Sequence, residues 1–329
     1  MTSFDSRLVD RPGFASMYRP GELTLGLLFP LESYEGPVPR MDVAEQTGAA
    51  VRAEECGFAA LWARDVPLFD PGFGDTGQMF DPWVWLTHIA GATSRIALAT
   101  GSTVLPLRNP IDTAKAAASL DLLSGQRLVL GAATGDRGVE FPAFGLNRDD
   151  SGELFRAAVD SIRRLWAEQF PAIDSPYGTM RDVGLLPKPA GARIPLLVTG
   201  YSRQSLGWIA EHGDGWLMYP KPIAEQRQVL AQWHQALDET GTAPKPFSQS
   251  LYVDLTEDPA TTPSPIHLGY RTGRDYLIEH LGRLRDIGVN HVLLNLKYGR
   301  RPATEVLHEL AEHVLPHFPT VTGQAVGSR

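Results

Sequence analysis

RIALATGSTVLPLRNPIDTAKAAASLDLLSGQRLVLGAATGD, residues 95–136, holds a complete strand–helix–strand unit. The apolar runs at 95–100 and 127–133 read as buried strands. Between them, Asn109-Pro110 offers a capping side chain followed by proline at the first helical position. Ser124-Gly125 then offers a tight exit in which glycine closes the helix in the left-handed conformation. Outward from this unit the pattern repeats, with further runs near 23–29, 58–63, 194–199, 214–219, 249–255 and 290–296. Helical faces lie between them: Leu154, Ala158, Ile162 and Leu165 recur on one side, as do Leu307, Leu310 and Val314. Asp81-Pro82 marks another helix start, and Thr272 with Asp275 resembles a capping box. Eight strand–helix pairs without a break in composition predict a closed (β/α)8 barrel rather than an open doubly wound sheet. The expectation is one domain over 1–329, with the barrel at about 22–317 and short extensions at both ends.

The connections on the two sides differ. Most helix-to-strand turns are tight, at Cys56-Gly57, Thr93-Ser94, Ser124-Gly125, His212-Gly213 and Ile287-Gly288. The exception, 171–193, is rich in proline and glycine and reads as a surface excursion. Strand-to-helix loops at 65–80, 134–150 and 256–272 are longer, on the side where barrel enzymes build their sites.

Composition narrows the chemistry. The 329 residues are 43% hydrophobic and 21% charged, as in an ordinary globular protein. A net charge of −8 with both signs interspersed argues against nucleic acid as a partner. Cys56 is the only cysteine, which excludes a disulfide framework and fits a reducing compartment. The first residues lack the apolar stretch of a signal peptide and no segment reaches membrane-spanning length, so the expected location is the cytoplasm and no membrane partner is expected.

Gly72-Phe73-Gly74-Asp75-Thr76-Gly77 matches G-x-G-x-x-G but starts several residues after its strand, and no acidic residue ends the following strand, so it reads as an active-site loop rather than a dinucleotide fingerprint. Signatures of phosphoryl transfer, serine hydrolysis and zinc proteolysis are missing, and the nine histidines show no metal-ligand pairing. Lys297 ends the last strand, where it would form a Schiff base, pair with a carboxylate or contact a ligand charge. Three other strand ends carry polar clusters: Gly101 to Pro110 with Arg108, Thr134-Gly135-Asp136-Arg137, and Gly200-Tyr201-Ser202-Arg203-Gln204-Ser205. The last reads equally as an anion site at a helix start or as a plain N-cap at Ser202.

In order and spacing, TVLPLRNPIDTAKAAASLDLLSGQRLVLGAATGD (103–136), EFPAFGLNRDD with the helix ending at Leu165-Trp166, PLLVTGYSRQS (195–205) and IAEHGDGWLMY (209–219) together resemble the luciferase-like monooxygenases, the barrel family of bacterial luciferase and the deazaflavin F420-dependent oxidoreductases. The resemblance implies FMN, or F420 as the alternative, at the strand mouth. It places the cofactor phosphate at Gly200, Tyr201, Ser202 and Ser205 with Arg108; Tyr298-Gly299-Arg300-Arg301 would be a rival site. Thr103 and Val104 would approach the ring beside a non-prolyl cis peptide, with Thr134, Gly135 and Asp136 on its other side. Trp62, Phe73, Trp83 and Tyr201 would form apolar walls.

Where many relatives have an acidic residue followed by histidine, this chain has Arg64-Asp65-Val66, leaving Asp65, Arg64 and Asp136 as catalytic candidates, or Arg64 and Asp65 as a structural pair. The leading expectation is a monooxygenase acting on a small organic substrate with oxygen and with reduced FMN from a separate NAD(P)H:flavin reductase. The alternatives are F420-dependent hydride transfer and a non-catalytic flavin-binding protein. Relatives imply a homodimer.

Overall fold

In the computed structural model, which describes residues 4–34, 42–73 and 80–319, eight parallel strands close into a ring. The strands are β1 (Thr24–Leu28), β2 (Ala60–Ala63), β3 (Ala97–Thr100), β4 (Leu128–Ala133), β5 (Leu196–Thr199), β6 (Gly215–Met218), β7 (Phe247–Leu255) and β8 (His291–Asn295). Each pairs with the next in chain order, and β8 returns to β1 from Thr24↔His291 to Leu27↔Leu294. Closure leaves no barrel strand with an unpaired edge. Around the ring run α1 (Val43–Cys56), α2 (Pro82–Ala92), α3 (Pro110–Leu123), α4 (Ser151–Ala167), α5 (Leu206–His212), α6 (Ile223–Thr240), α7 (Arg274–Asp286) and α8 (Ala303–Glu309). The (β/α)8 barrel is thus the fold, and each of the eight apolar runs supplies one strand.

The two-residue period of each strand sorts its side chains. Leu25, Leu27, Leu61, Leu98 and Leu130 face the helices in the large core, whereas Leu28, Trp62, Ala99, Val129 and Leu197 fill the barrel interior. Small residues surround two large rings there: a Cβ on Gly26 would lie 2.7 Å from the His291 ring. Trp62 Nε1 donates to His291 Nε2 at 3.0 Å. The Thr24 hydroxyl donates to the Met17 carbonyl at 2.6 Å, so it accepts from His291 Nδ1 at 2.7 Å. Burial pushes the His291 pKa down to about 3, and the ring stays neutral with its proton on Nδ1. Two short helices, Ser6–Val9 and Pro12–Met17, close the N-terminal end of the barrel with Phe14 and Met17.

Asp81 and Asn109 cap α2 and α3 as their sequence predicts. Thr272 and Asp275 form no capping box: α7 starts after Gly273 without a side-chain cap, and the Thr272 hydroxyl turns to the carbonyls of Thr261 and Gly273. Gly57, Gly125 and Gly288 adopt the left-handed turn, but Gly213 is extended at φ −81°. The 171–193 excursion contains an antiparallel hairpin, Ile173–Ser175 with Gly178–Met180. A second hairpin follows β7, where Ser264–Ile266 pairs with Gly269–Thr272. Its second strand also lies along the outer half of β7, from Tyr252↔Gly269 to Leu255↔Thr272. Glycine is required at 269, because a Cβ there would sit 1.8 Å from the Tyr252 carbonyl oxygen.

Candidate active site

A cavity of about 1090 Å³ opens at the C-terminal ends of the strands. Its floor is apolar, formed by Leu28, Leu217 and Leu293, inward-facing residues of β1, β6 and β8. This is the upper range of ligand pockets, enough for a cofactor and a small substrate together.

Arg64, Asp65, Val104, Thr134, Gly135 and Asp136 line the wall built by β2, β3 and β4. Asp65 is buried and fully engaged: it accepts from Arg108 Nε at 2.7 Å, Arg108 Nη2 at 2.6 Å and the Val104 amide at 3.0 Å. Arg108 Nη2 also reaches Asp81 at 2.7 Å. Burial works against the Arg108 charge, but the two carboxylates raise its pKa overall and keep the guanidinium protonated. Two expectations therefore change. Arg108 does not line the cavity as a phosphate clamp, and the ion-pair partner of Asp65 is Arg108 rather than the adjacent Arg64. Gly135 is left-handed at φ +86°, and a Cβ on it would strike Val104 Cγ1 at 2.7 Å, so glycine lets these two segments pack directly against each other in the cavity wall. Val104 lines the cavity; Thr103 is buried behind it, and the non-prolyl cis peptide is Gly101-Ser102.

After β5 the chain turns sharply. Gly200, Ser202 and Arg203 have φ of +57°, +44° and +54°. The amides of Tyr201, Ser202 and Arg203 donate to no described residue, leaving adjacent N–H groups for an anion. Gly200 and Ser202 line the cavity. Neither serine hydroxyl is the helix-start donor expected of it: Ser202 Oγ donates to the Thr199 carbonyl at 2.8 Å, and Ser205 caps α5 through the Trp208 amide at 3.2 Å. Ser102 and Thr199 form a hydroxyl pair on the same side of the cavity that sequence reasoning missed.

Across the cavity, Tyr252, His267 and Tyr298 form an aromatic wall with ring centroids 5.2 to 5.9 Å apart. Tyr252 and His267 were not sequence candidates, and Tyr298 entered only as part of the rival phosphate loop. His267 sits at the tip of the hairpin after β7, a place that no local pattern marks. Of the expected apolar walls only Phe73 lines the cavity. Trp62 is inside the barrel core, Trp83 is buried in the core around α2, and Tyr201 turns edge-on to Trp216 at 5.5 Å. In the rival phosphate loop, Arg301 is held by Glu309, whereas Arg300 lines the cavity beside Asp254. Lys297 is buried with its Nζ 4.9 Å from the Tyr34 ring centroid. Gly74 to Gly77 of the glycine-rich loop lie outside the described residues. Among the described residues no helix is long and apolar enough to cross a membrane, and no group of His, Cys, Asp or Glu is arranged to hold a metal.

The chain is similar to several characterised proteins. An F420-dependent hydroxymycolic acid dehydrogenase of Mycobacterium tuberculosis is 32% identical over 64% of this chain and 59% of its own length. An F420-dependent glucose-6-phosphate dehydrogenase of Kineococcus radiotolerans is 29% identical over 64% of each chain. The alkanal monooxygenase alpha chain of Photorhabdus luminescens is 28% identical over 49% of this chain and 43% of its own. The matches thus span between two fifths and two thirds of these relatives. Among solved structures, a monooxygenase of Streptomyces bottropensis superposes with a TM-score of 0.76 at 22% identity, over 89% of this chain and 99% of its own. The barrel is therefore shared well beyond the reach of sequence identity. The family model described as luciferase-like monooxygenase matches residues 23–262, from β1 to the loop beyond β7, and the chain belongs to that family of oxidoreductases.

Proposed function

We propose that the protein is an FMN-dependent monooxygenase acting on a small, largely apolar organic molecule, with reduced FMN supplied by a separate NAD(P)H:flavin reductase. The observation that carries this reading is the pairing of a cavity wall, Val104 packed against Thr134-Gly135, with the free amides of the turn at 201–203. That wall suits one face of a planar ring and the turn suits a phosphate, so the residues present fit a flavin mononucleotide. Reduced FMN would supply the electrons that activate oxygen.

The protein's part is enclosure and orientation. Val104 and Gly135 would fix the ring plane, and the amides of 201–203 would hold the phosphate. The apolar floor would keep water from the reacting atoms. Asp65 is bound on three sides and serves to hold the Val104 segment rather than to move a proton. Asp136, which lines the cavity, stays a candidate for proton transfer.

A second reading, F420-dependent hydride transfer, is favoured by the two F420-dependent relatives at 32% and 29% identity. It calls for a proton-handling group beside the substrate, and His267 on the opposite wall would provide one. Anaerobic titration with reduced FMN, reduced riboflavin and reduced F420 separates the readings. The first predicts that FMN binds at least tenfold more tightly than riboflavin, as expected of charge-assisted bonds to the phosphate, and that F420 binds weakly. Tight F420 binding with no FMN binding overturns it in favour of the second.

A further inference from the structure

Arg137 is the feature of the cavity that the cofactor reading leaves unused. Its side chain is 7% exposed, yet the residue lines the cavity. Its guanidinium lies over the Phe73 ring, 4.6 Å from the centroid. It donates no hydrogen bond to any described residue, and Nε is buried without a partner. Its ion-pair partner, Glu140, is also buried and stands 3.7 Å away, too long for a hydrogen bond. Glu140 Oε1 is itself without a partner. Burial raises the Glu140 pKa more than Arg137 lowers it, which weakens the carboxylate as a counter-ion.

A guanidinium carries five N–H donors in a planar fork and keeps its charge when buried. Leaving those donors unmet is costly, and here they face a cavity with an apolar floor and an aromatic far wall, in which Asp254 is taken by Arg271 and Arg300. Arg64 brings a second cation to the same wall, whereas Asp65 is already taken by Arg108.

We propose that Arg137 binds a carboxylate on the substrate, so that the molecule taken up has one anionic end and an apolar, planar body packed toward Tyr252 and Tyr298. This rests on the cavity being the substrate site of the oxidoreductase. The cofactor phosphate is the other possible source of an anion, and the test separates the two.

The experiment titrates the cofactor-free protein with 4-fluorobenzoate, 4-fluorobenzyl alcohol and inorganic phosphate, followed by fluorine NMR for the first two and calorimetry for the last. The FMN-to-riboflavin affinity ratio is measured alongside. Arg137→Gln is expected to weaken 4-fluorobenzoate by about tenfold to a hundredfold, the scale of hydrogen bonds to a charged group. Binding of the alcohol and the FMN-to-riboflavin ratio stay unchanged. Arg137→Lys, which keeps the charge without the fork, falls between. The inference is overturned if Arg137→Gln leaves 4-fluorobenzoate unchanged, or if it lowers the FMN-to-riboflavin ratio or phosphate binding equally. Retained binding of the alcohol shows that the variants are folded. Because the carboxylate is measured without cofactor, loss of FMN binding in the unaltered protein defeats the proposed function and leaves this result standing.

Discussion

Two buried arginines flank β4, and they are built in opposite ways. Arg127, one residue before the strand, is 3% exposed and donates five hydrogen bonds, to the Thr93 hydroxyl and to the carbonyls of Ala90, Thr93, Ile96 and Ser124. Arg137, four residues beyond the strand, is 7% exposed and donates none to the described residues. At the N-terminal face a charged group is ringed by main-chain acceptors that other turns cannot satisfy, so its burial stabilises the fold. At the C-terminal face the same side chain is held by a ring and a loose ion pair, with its donors toward the cavity. Burial alone therefore does not tell a structural arginine from a functional one; completeness of its hydrogen bonds does.

The contrast predicts its own failures. Arg127→Met should cost roughly 3–5 kcal/mol, because it strands buried carbonyls, whereas Arg137→Gln should change stability by no more than about 1 kcal/mol. Equal denaturation midpoints for the two variants would break the comparison. Asp65 tests a mouth residue built like those of the opposite face. Asp65→Asn weakens a buried ion pair with Arg108 and should cost roughly 2–3 kcal/mol, with FMN affinity lowered only through movement of Val104. If stability is kept while turnover disappears, Asp65 is catalytic and belongs with Arg137.

The smallest effect is on acid stability. Burial alone would raise the Glu54 pKa, but hydrogen bonds from the amides of Ile96, Arg95 and Ser94 outweigh it and hold the pKa below the usual glutamate value. A depressed folded pKa means the unfolded chain binds the proton more readily, so this contribution is present above the ordinary carboxylate pKa and is lost as pH falls through the folded value. The stability gap between the unaltered protein and Glu54→Gln should therefore shrink on acidification below about pH 4.5. A gap that is constant with pH would show that charge at this helix end contributes nothing beyond hydrogen bonding.

Much of the fold was legible because its signals are local. Apolar runs bounded by Asn109-Pro110 or Cys56-Gly57 report strand and helix within a few residues of themselves. Thr272 with Asp275 misled for the same reason: the spacing fits a capping box, but Thr272 is drawn into the strand beside β7. In the site, Val104, Thr134, Gly135 and Gly200 were legible as strand-end residues that also match a family pattern. Arg108 was misplaced because its partner, Asp65, lies 43 positions away. His267 was missed, and Tyr298 was read only as part of a phosphate loop, because their contact joins the hairpin after β7 to the end of β8.

By itself the sequence determined the eight strands, their order and the side of the barrel with long loops. Those follow from residue periodicity and turn chemistry, which act over a few residues. Only the tertiary structure decided which polar groups at the mouth satisfy one another and which stay open to the cavity. That depends on the distances between side chains from different strands, and closure of the ring fixes those distances. Arg108 and Arg137 are both arginines following a strand; closure gave the first two carboxylates and left the second its donors.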